Sequence, residues 1–163
     1  MLMLGTLLVI ARMCAGGFFV WTGSAKLSRS RHFWSQIMGY KIVGPRQARL
    51  LAAALPPVEF VAGLFFAAGL WPAVTGCVLL LLLAAFTAAI ASSLLRGLEN
   101  DCGCAGSDRV SPLLIVRNVM LASLAVAGMS SAAPAYSGEI IVVACGCLLV
   151  VVISSNSYRA IGR

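Results

Sequence analysis

Four stretches of this 163-residue sequence, roughly 2–22, 48–70, 73–95 and 112–132, are apolar and about the 20 residues that a helix needs to cross a bilayer. This constrains the chain more than any other feature. Hydrocarbon offers a backbone no hydrogen bonds, and a helix satisfies its own within one segment. A fifth stretch, 139–154 (EIIVVACGCLLVVVIS), is shorter but free of charge after Glu139. The expectation is an all-α, polytopic membrane helix bundle, a single integral membrane domain over 1–163. It has five crossings, or four and a partly inserted tail. Composition agrees, with 61% hydrophobic and only 10% charged residues, against about a quarter charged in soluble domains.

The amino-terminal run has no Lys or Arg before it and Arg12 inside it, so it reads as a retained helix rather than a cleaved signal. Trp71–Pro72 separates the second and third spans; a proline starts a helix well, and a tight hairpin is expected there. The stretch 24–47 carries Lys26, Arg29, Arg31, Lys41 and Arg46. Within it Phe33, Trp34, Ile37 and Met38 recur at helical spacing, with Arg31 and Gln36 elsewhere around the wheel. This predicts a short interfacial helix on the membrane surface. The net charge of +7 arises beside apolar segments, so it speaks for a lipid bilayer and against nucleic acid, for which no basic, aromatic-interleaved domain exists. With five crossings the basic loop, the Cys-Gly-Cys loop near 102 and the tail share one side. The positive-inside bias makes that side cytoplasmic and puts the amino terminus outside, in a multi-pass protein of the cell membrane.

Two charges interrupt the spans. Arg12 lies at the centre of the first and Glu59 at the centre of the second, each costing about 2.5–3.5 kcal/mol on insertion scales. Consecutive spans run antiparallel, so an Arg12–Glu59 ion pair inside the bundle is expected. It is either architectural or concerned with protons or a polar head group. Pro56 and Pro57 in "LPPVEF" supply no N–H, which frees the carbonyls of Ala52 and Ala53 beside Glu59 and bends the helix. Arg117, followed by Asn118, lies about a turn and a half into the fourth span. It either faces the Cys-Gly-Cys loop, where it would attract a thiolate, or snorkels to the interface.

The six cysteines are Cys14, Cys77, Cys102, Cys104, Cys145 and Cys147. Residues two apart on a helix point to nearly opposite sides, so Cys145 and Cys147 read as packing residues. Cys102 and Cys104 stand in a polar loop, "LRGLENDCGCAGSDRVSP", where Gly103 lets the backbone bend until the sulfurs meet. The resulting ring is small, and strained, exposed disulfides are the readily reduced, catalytic kind. Arg96 and Arg109 favour the thiolate there, while Asp101 and Asp108 oppose it. Metal handling stands behind redox, because structural zinc favours C-x-x-C and the one histidine, His32, is in another loop; no metal site is expected. A purely structural role is the third reading. Nucleotide loops and Ser-His-Asp sets find no support.

Arg12, "GSAKL" with Gly23 and Lys26, Tyr40, "LPPVE" with Glu59, "RGLENDCGCAG" and Arg117–Asn118 together resemble the MauE family. These methylamine-utilisation membrane proteins are grouped with the DoxX-like redox-associated membrane proteins. The resemblance spans about 5–130. The family often has phenylalanine after the second cysteine, where this chain has Ala105, so a contact made by a bulky residue there is lost. The resemblance implies thiol–disulfide redox support for the maturation of an exported protein, methylamine dehydrogenase in the family. It also implies a thioredoxin-like, MauD-type partner. Cys102 and Cys104 would exchange electrons, with Gly103, Asp101, Arg117, Arg12, Glu59 and Lys26 supporting, and any turnover would be that of a thiol–disulfide oxidoreductase. No bound cofactor is evident; a membrane quinone is the acceptor the bilayer supplies. The alternatives are a DoxX-like subunit passing electrons to quinone, or a non-catalytic scaffold or transporter. An exported client requires thiols outside, whereas the charge bias puts this loop inside. Either a further thiol, Cys14, Cys77, Cys145 or Cys147, relays electrons across the bilayer, or the orientation is reversed.

Overall fold

The computed structural model describes residues 2–98 and 111–130, and every element among them is helical. The helices are α1 (Leu2–Ser28), α2 (Ser30–Gly39), α3 (Pro45–Ala67), α4 (Pro72–Leu95) and α5 (Pro112–Met129). Four of them, α1, α3, α4 and α5, are long and apolar enough to cross a membrane. The polytopic helical bundle expected from the sequence is therefore present, with α2 as the short helix after the first span. The segment 139–154 and the Cys-Gly-Cys loop, with Asp101, Cys102, Gly103 and Cys104, lie outside the described residues.

The four spans close a ring in the order α1, α3, α4, α5, and α2 packs on α3. At its centre Ala15, Phe19, Ala62, Phe66, Leu79, Leu82, Leu83, Leu121 and Ala125 form one buried cluster. Lipid is as apolar as leucine, so close backbone approach takes the place of hydrophobic drive between helices. The α1–α3 contact is built that way. A Cβ on Gly16 would sit 2.6 Å from the carbonyl oxygen of Gly63, and one on Gly63 would sit 2.8 Å from that of Gly16.

The α3–α4 hairpin forms at the expected place, by a device that the proline alone does not specify. Gly69 adopts φ +73°, Leu70 donates to Phe65 O at 2.9 Å and Gly69 donates to Phe66 O at 3.0 Å. This is the Schellman end of a helix. Trp71, also at positive φ, then starts α4, and Thr75 Oγ1 caps its carbonyl at 3.0 Å. Gly97 ends α4 in the same way, with φ +62° and Leu98 donating to Ser93 O at 3.0 Å.

Two features differ from expectation, one boundary and one buried face. The first helix continues to Ser28, beyond the 22 read from its apolar run, because "TGSAKLS" contains no helix breaker stronger than Gly23. That glycine sits where an added Cβ would lie 2.8 Å from Phe60 N of α3. In α2 the buried residues are Phe33 and Gln36, while Trp34, Ile37 and Met38 are half-buried. Gln36 thus turns inward rather than to the polar side, with its Nε2 3.1 Å from His32 Nε2.

Candidate functional site

Lys26 and Glu59 form the polar heart of the bundle. The extra turns of α1 place Lys26 at 5% exposure, and Glu59, on the buried stripe of α3, is fully enclosed. Lys26 Nζ lies 2.6 Å from Glu59 Oε1 and 2.8 Å from Oε2, so one ammonium donates to both carboxylate oxygens. Thr22, one turn before Lys26, puts its Oγ1 3.3 Å from Glu59 Oε2. Two rings complete the enclosure: Phe86 of α4 at 4.4 Å from the ammonium and Phe33 of α2 at 5.1 Å. A cation held between aromatic faces and a carboxylate is compensated without water. The site therefore draws on four helices, with Thr22 and Lys26 from α1 and one group each from α2, α3 and α4.

The expected Arg12–Glu59 pair does not form; the partner of Glu59 is Lys26. The reason is register. Gly16 meets Gly63 and Gly23 meets Phe60 across the α1–α3 contact, so Glu59 faces the Thr22 level of α1. Arg12 is ten residues away from Thr22, about 15 Å along the axis at 1.5 Å per residue. Arg12, also fully buried, instead packs at the opposite end, against the α3–α4 turn. A Cβ on Gly69 would lie 2.7 Å from its Nη1, and one on Gly128 would lie 2.9 Å from its Cα. The guanidinium thus rests on the carboxyl-terminal end of α3, where a cation offsets the helix dipole. Gly69→Ala combines that collision with a positive φ and should lower stability by about 1–3 kcal/mol. Gly5→Ala, which meets nothing within 4 Å, should not. Thermal unfolding of the two detergent-purified variants measures the difference.

Lys26, one of the basic residues of 24–47, belongs to the interior and not to the loop charges. Arg29, Arg31, Lys41, Arg46, Arg49 and Arg96 remain exposed. Arg96 Nη1 donates to Lys41 O at 3.4 Å, which ties the end of α4 to the α2–α3 connection. The two ends that flank the Cys-Gly-Cys loop, Leu98 and Ser111, therefore belong to the basic end of the bundle. The opposite turn, Gly69–Trp71, carries no charge.

Arg117 is half-buried and turned toward α1, with its Cζ 5.4 Å from the Phe18 ring. Asn118, buried beside it, donates to Thr87 Oγ1 of α4 at 3.1 Å. Cys14 and Cys77 are both exposed on the outside of the bundle. Neither one therefore lines the interior as a relay between the two ends.

The resemblance names Lys26 as a supporting residue, but sequence reasoning missed its burial and its pairing with Glu59, although a signal is present. Arg12, Ala15, Phe19, Thr22 and Lys26 follow alternating steps of three and four residues, which is one face of a helix. Extending the first span by one turn places Lys26 on that face. Nothing local marks Phe33 or Phe86 as its neighbours.

The family model described as methylamine utilisation protein MauE matches residues 4–131. That interval holds Arg12, Lys26, Glu59, Cys102, Cys104 and Arg117. The methylamine utilization protein MauE of Paracoccus denitrificans is 35% identical over 124 residues, covering 69% of this chain. The chain spans 66% of the length of that relative. No solved structure matches it. The run of buried polar residues and the spans that carry them thus lie within the matched region, and the chain belongs to the MauE family.

Proposed function

We propose that this protein is a membrane thiol–disulfide redox component of methylamine utilisation. It supports disulfide formation in an exported protein of the methylamine dehydrogenase type. The observation that carries this reading is the family match over a stretch that contains Cys102-Gly103-Cys104. The helix ends at Leu98 and Ser111, which flank this stretch in sequence, lie at the basic end of the bundle and support the reading, because a thioredoxin-like, MauD-type domain approaches a membrane protein at such an end.

In this reading the Cys102–Cys104 disulfide accepts two electrons and two protons from a partner dithiol. The partner leaves with its own disulfide, and the reduced pair returns its electrons and protons to a membrane quinone. Lys26, Glu59 and Arg12 hold the spans together, and Arg117 stands on α5, the helix that follows the loop in sequence. The exposed basic end faces the cytoplasm of a cell-membrane protein and the amino terminus faces out. Cys14 and Cys77 face lipid, so an electron route to the exported client runs through a partner or through the segment carrying Cys145 and Cys147.

Cys102→Ser and Cys104→Ser, singly and together, test the reading in cells that depend on the protein for methylamine dehydrogenase. Each single change should abolish accumulation of the oxidised client, because one sulfur cannot close the exchange. An impermeant thiol reagent applied to intact cells, before and after reduction, should label the pair only when the membrane is opened. Full client oxidation in the double serine protein leaves a non-catalytic scaffold and ends the redox assignment.

A further inference from the structure

Trp21 Nε1 is buried and meets no hydrogen-bond acceptor among the described residues. A buried indole N–H normally finds one, and in hydrocarbon no water replaces it. Its surroundings are specific. Phe18, one turn before it on α1, stands edge-on at 5.9 Å between ring centroids. Across the seam, α5 brings the Arg117 guanidinium to 5.4 Å from the Phe18 ring. All three side chains are half-buried, so part of each faces the surroundings of the bundle, while the indole N–H itself is covered. The indole N–H lacks an acceptor among the described residues, and the Arg117 guanidinium, which donates to Asn118 Oδ1 at 3.5 Å, stands against the Phe18 ring. Aromatic surface and N–H donors around one ring suit a ligand with a flat ring and carbonyl oxygens.

We infer that the α1–α5 seam at Phe18, Trp21 and Arg117 binds the ring of a membrane quinone. An acyl chain supplies no acceptor. A lipid ester supplies a carbonyl but no ring for Phe18 and Trp21 to pack on. The depth suits a quinone that serves the cysteine loop, since Arg117 is five residues from Pro112, about 8 Å along α5. This inference rests on the redox reading above and names where its electrons leave. The two S–H bonds break, one S–S bond forms, and two electrons with two protons pass to the two quinone oxygens, giving the quinol.

Full-length protein in phosphatidylcholine vesicles, titrated with ubiquinone-1, tests the site by tryptophan fluorescence. Trp34→Phe with Trp71→Phe leaves Trp21 as the reporter; Trp21→Phe with Trp34→Phe leaves Trp71, exposed at the far turn. Quenching of Trp21 should saturate while quenching of Trp71 rises linearly with quinone in the bilayer. Arg117→Met should raise the half-saturating concentration about tenfold by removing charge-assisted donors, and Phe18→Leu should raise it too. Equal, linear quenching of both tryptophans overturns the site, as does saturation indifferent to both substitutions in folded protein. If Trp21 emission shifts between ester and ether lipids while ubiquinone-1 has no saturable effect, the acceptor is a lipid carbonyl and the proposal fails. Saturation in protein with Cys102→Ser and Cys104→Ser supports the site independently of the fate of the thiols.

Discussion

Lys26→Met or Glu59→Gln alone should destabilise the bundle by about 3–5 kcal/mol, and the two together should restore most of that loss. Each single change leaves one charge enclosed without its partner, which is the costly situation for a buried pair. The pair sits where four helices meet, at 2.6 Å and with both residues nearly sealed from the surroundings. Removing both charges leaves polar or apolar groups of similar volume, a replacement that is often close to neutral. The measurement is a double-mutant cycle on thermal or denaturant unfolding in one detergent, with client oxidation followed in parallel. A double variant no more stable than either single one would show that packing, and not charge compensation, holds this position. Under the proposed redox function, a double variant that folds without supporting client oxidation would give the pair a task beyond architecture.

Widening the α1–α3 contact should be as damaging. Gly16→Leu or Gly63→Leu puts a side chain where even a Cβ lies 2.6–2.8 Å from the facing backbone oxygen. Those atoms belong to a helix backbone and cannot rotate away, so the axes must separate. Inserting atoms into a tight contact costs about 1–3 kcal/mol in ordinary cores, and a leucine against backbone belongs at or beyond the top of that range. The Lys26–Glu59 pair spans the same interface, so its geometry should fail with it. The check is loss of the folded, monodisperse protein on size exclusion, compared with Gly5→Leu on the exposed end of α1, where nothing lies within 4 Å. Equal behaviour of the Gly5 and Gly63 variants would refute the close contact.

These predictions mark where sequence reading succeeds. Span lengths follow from hydropathy because each apolar run must cover the same hydrocarbon thickness, so α3, α4 and α5 fall close to their expected bounds. Pro72 announces the hairpin, because a proline ring has its dihedral set for a first helical position. The amphipathic stretch after α1 is a helix as its periodicity requires. Local composition fails where it counts a residue by type rather than by neighbour. By composition Lys26 reads as one more basic loop residue, although the family resemblance names it a supporting residue, and Gln36 reads as the polar side of a surface helix; both are buried. The Cys-Gly-Cys pair is the reverse case, legible as chemistry from three residues and resting on that chemistry and the family match.

The sequence by itself determined the solvent this protein lives in, the number and rough extent of the described spans, and the residue types available for redox chemistry. All of these depend on local composition and spacing. Tertiary structure alone decided which cation answers Glu59. That choice depends on the sliding register of α1 against α3, set where Gly16 meets Gly63 and Gly23 meets Phe60. Neither helix encodes that offset in its own periodicity, because a helix face looks the same whichever turn of its neighbour it meets. Only the fit of one backbone into the gap left by the glycines of the other selects the level at which the charges align.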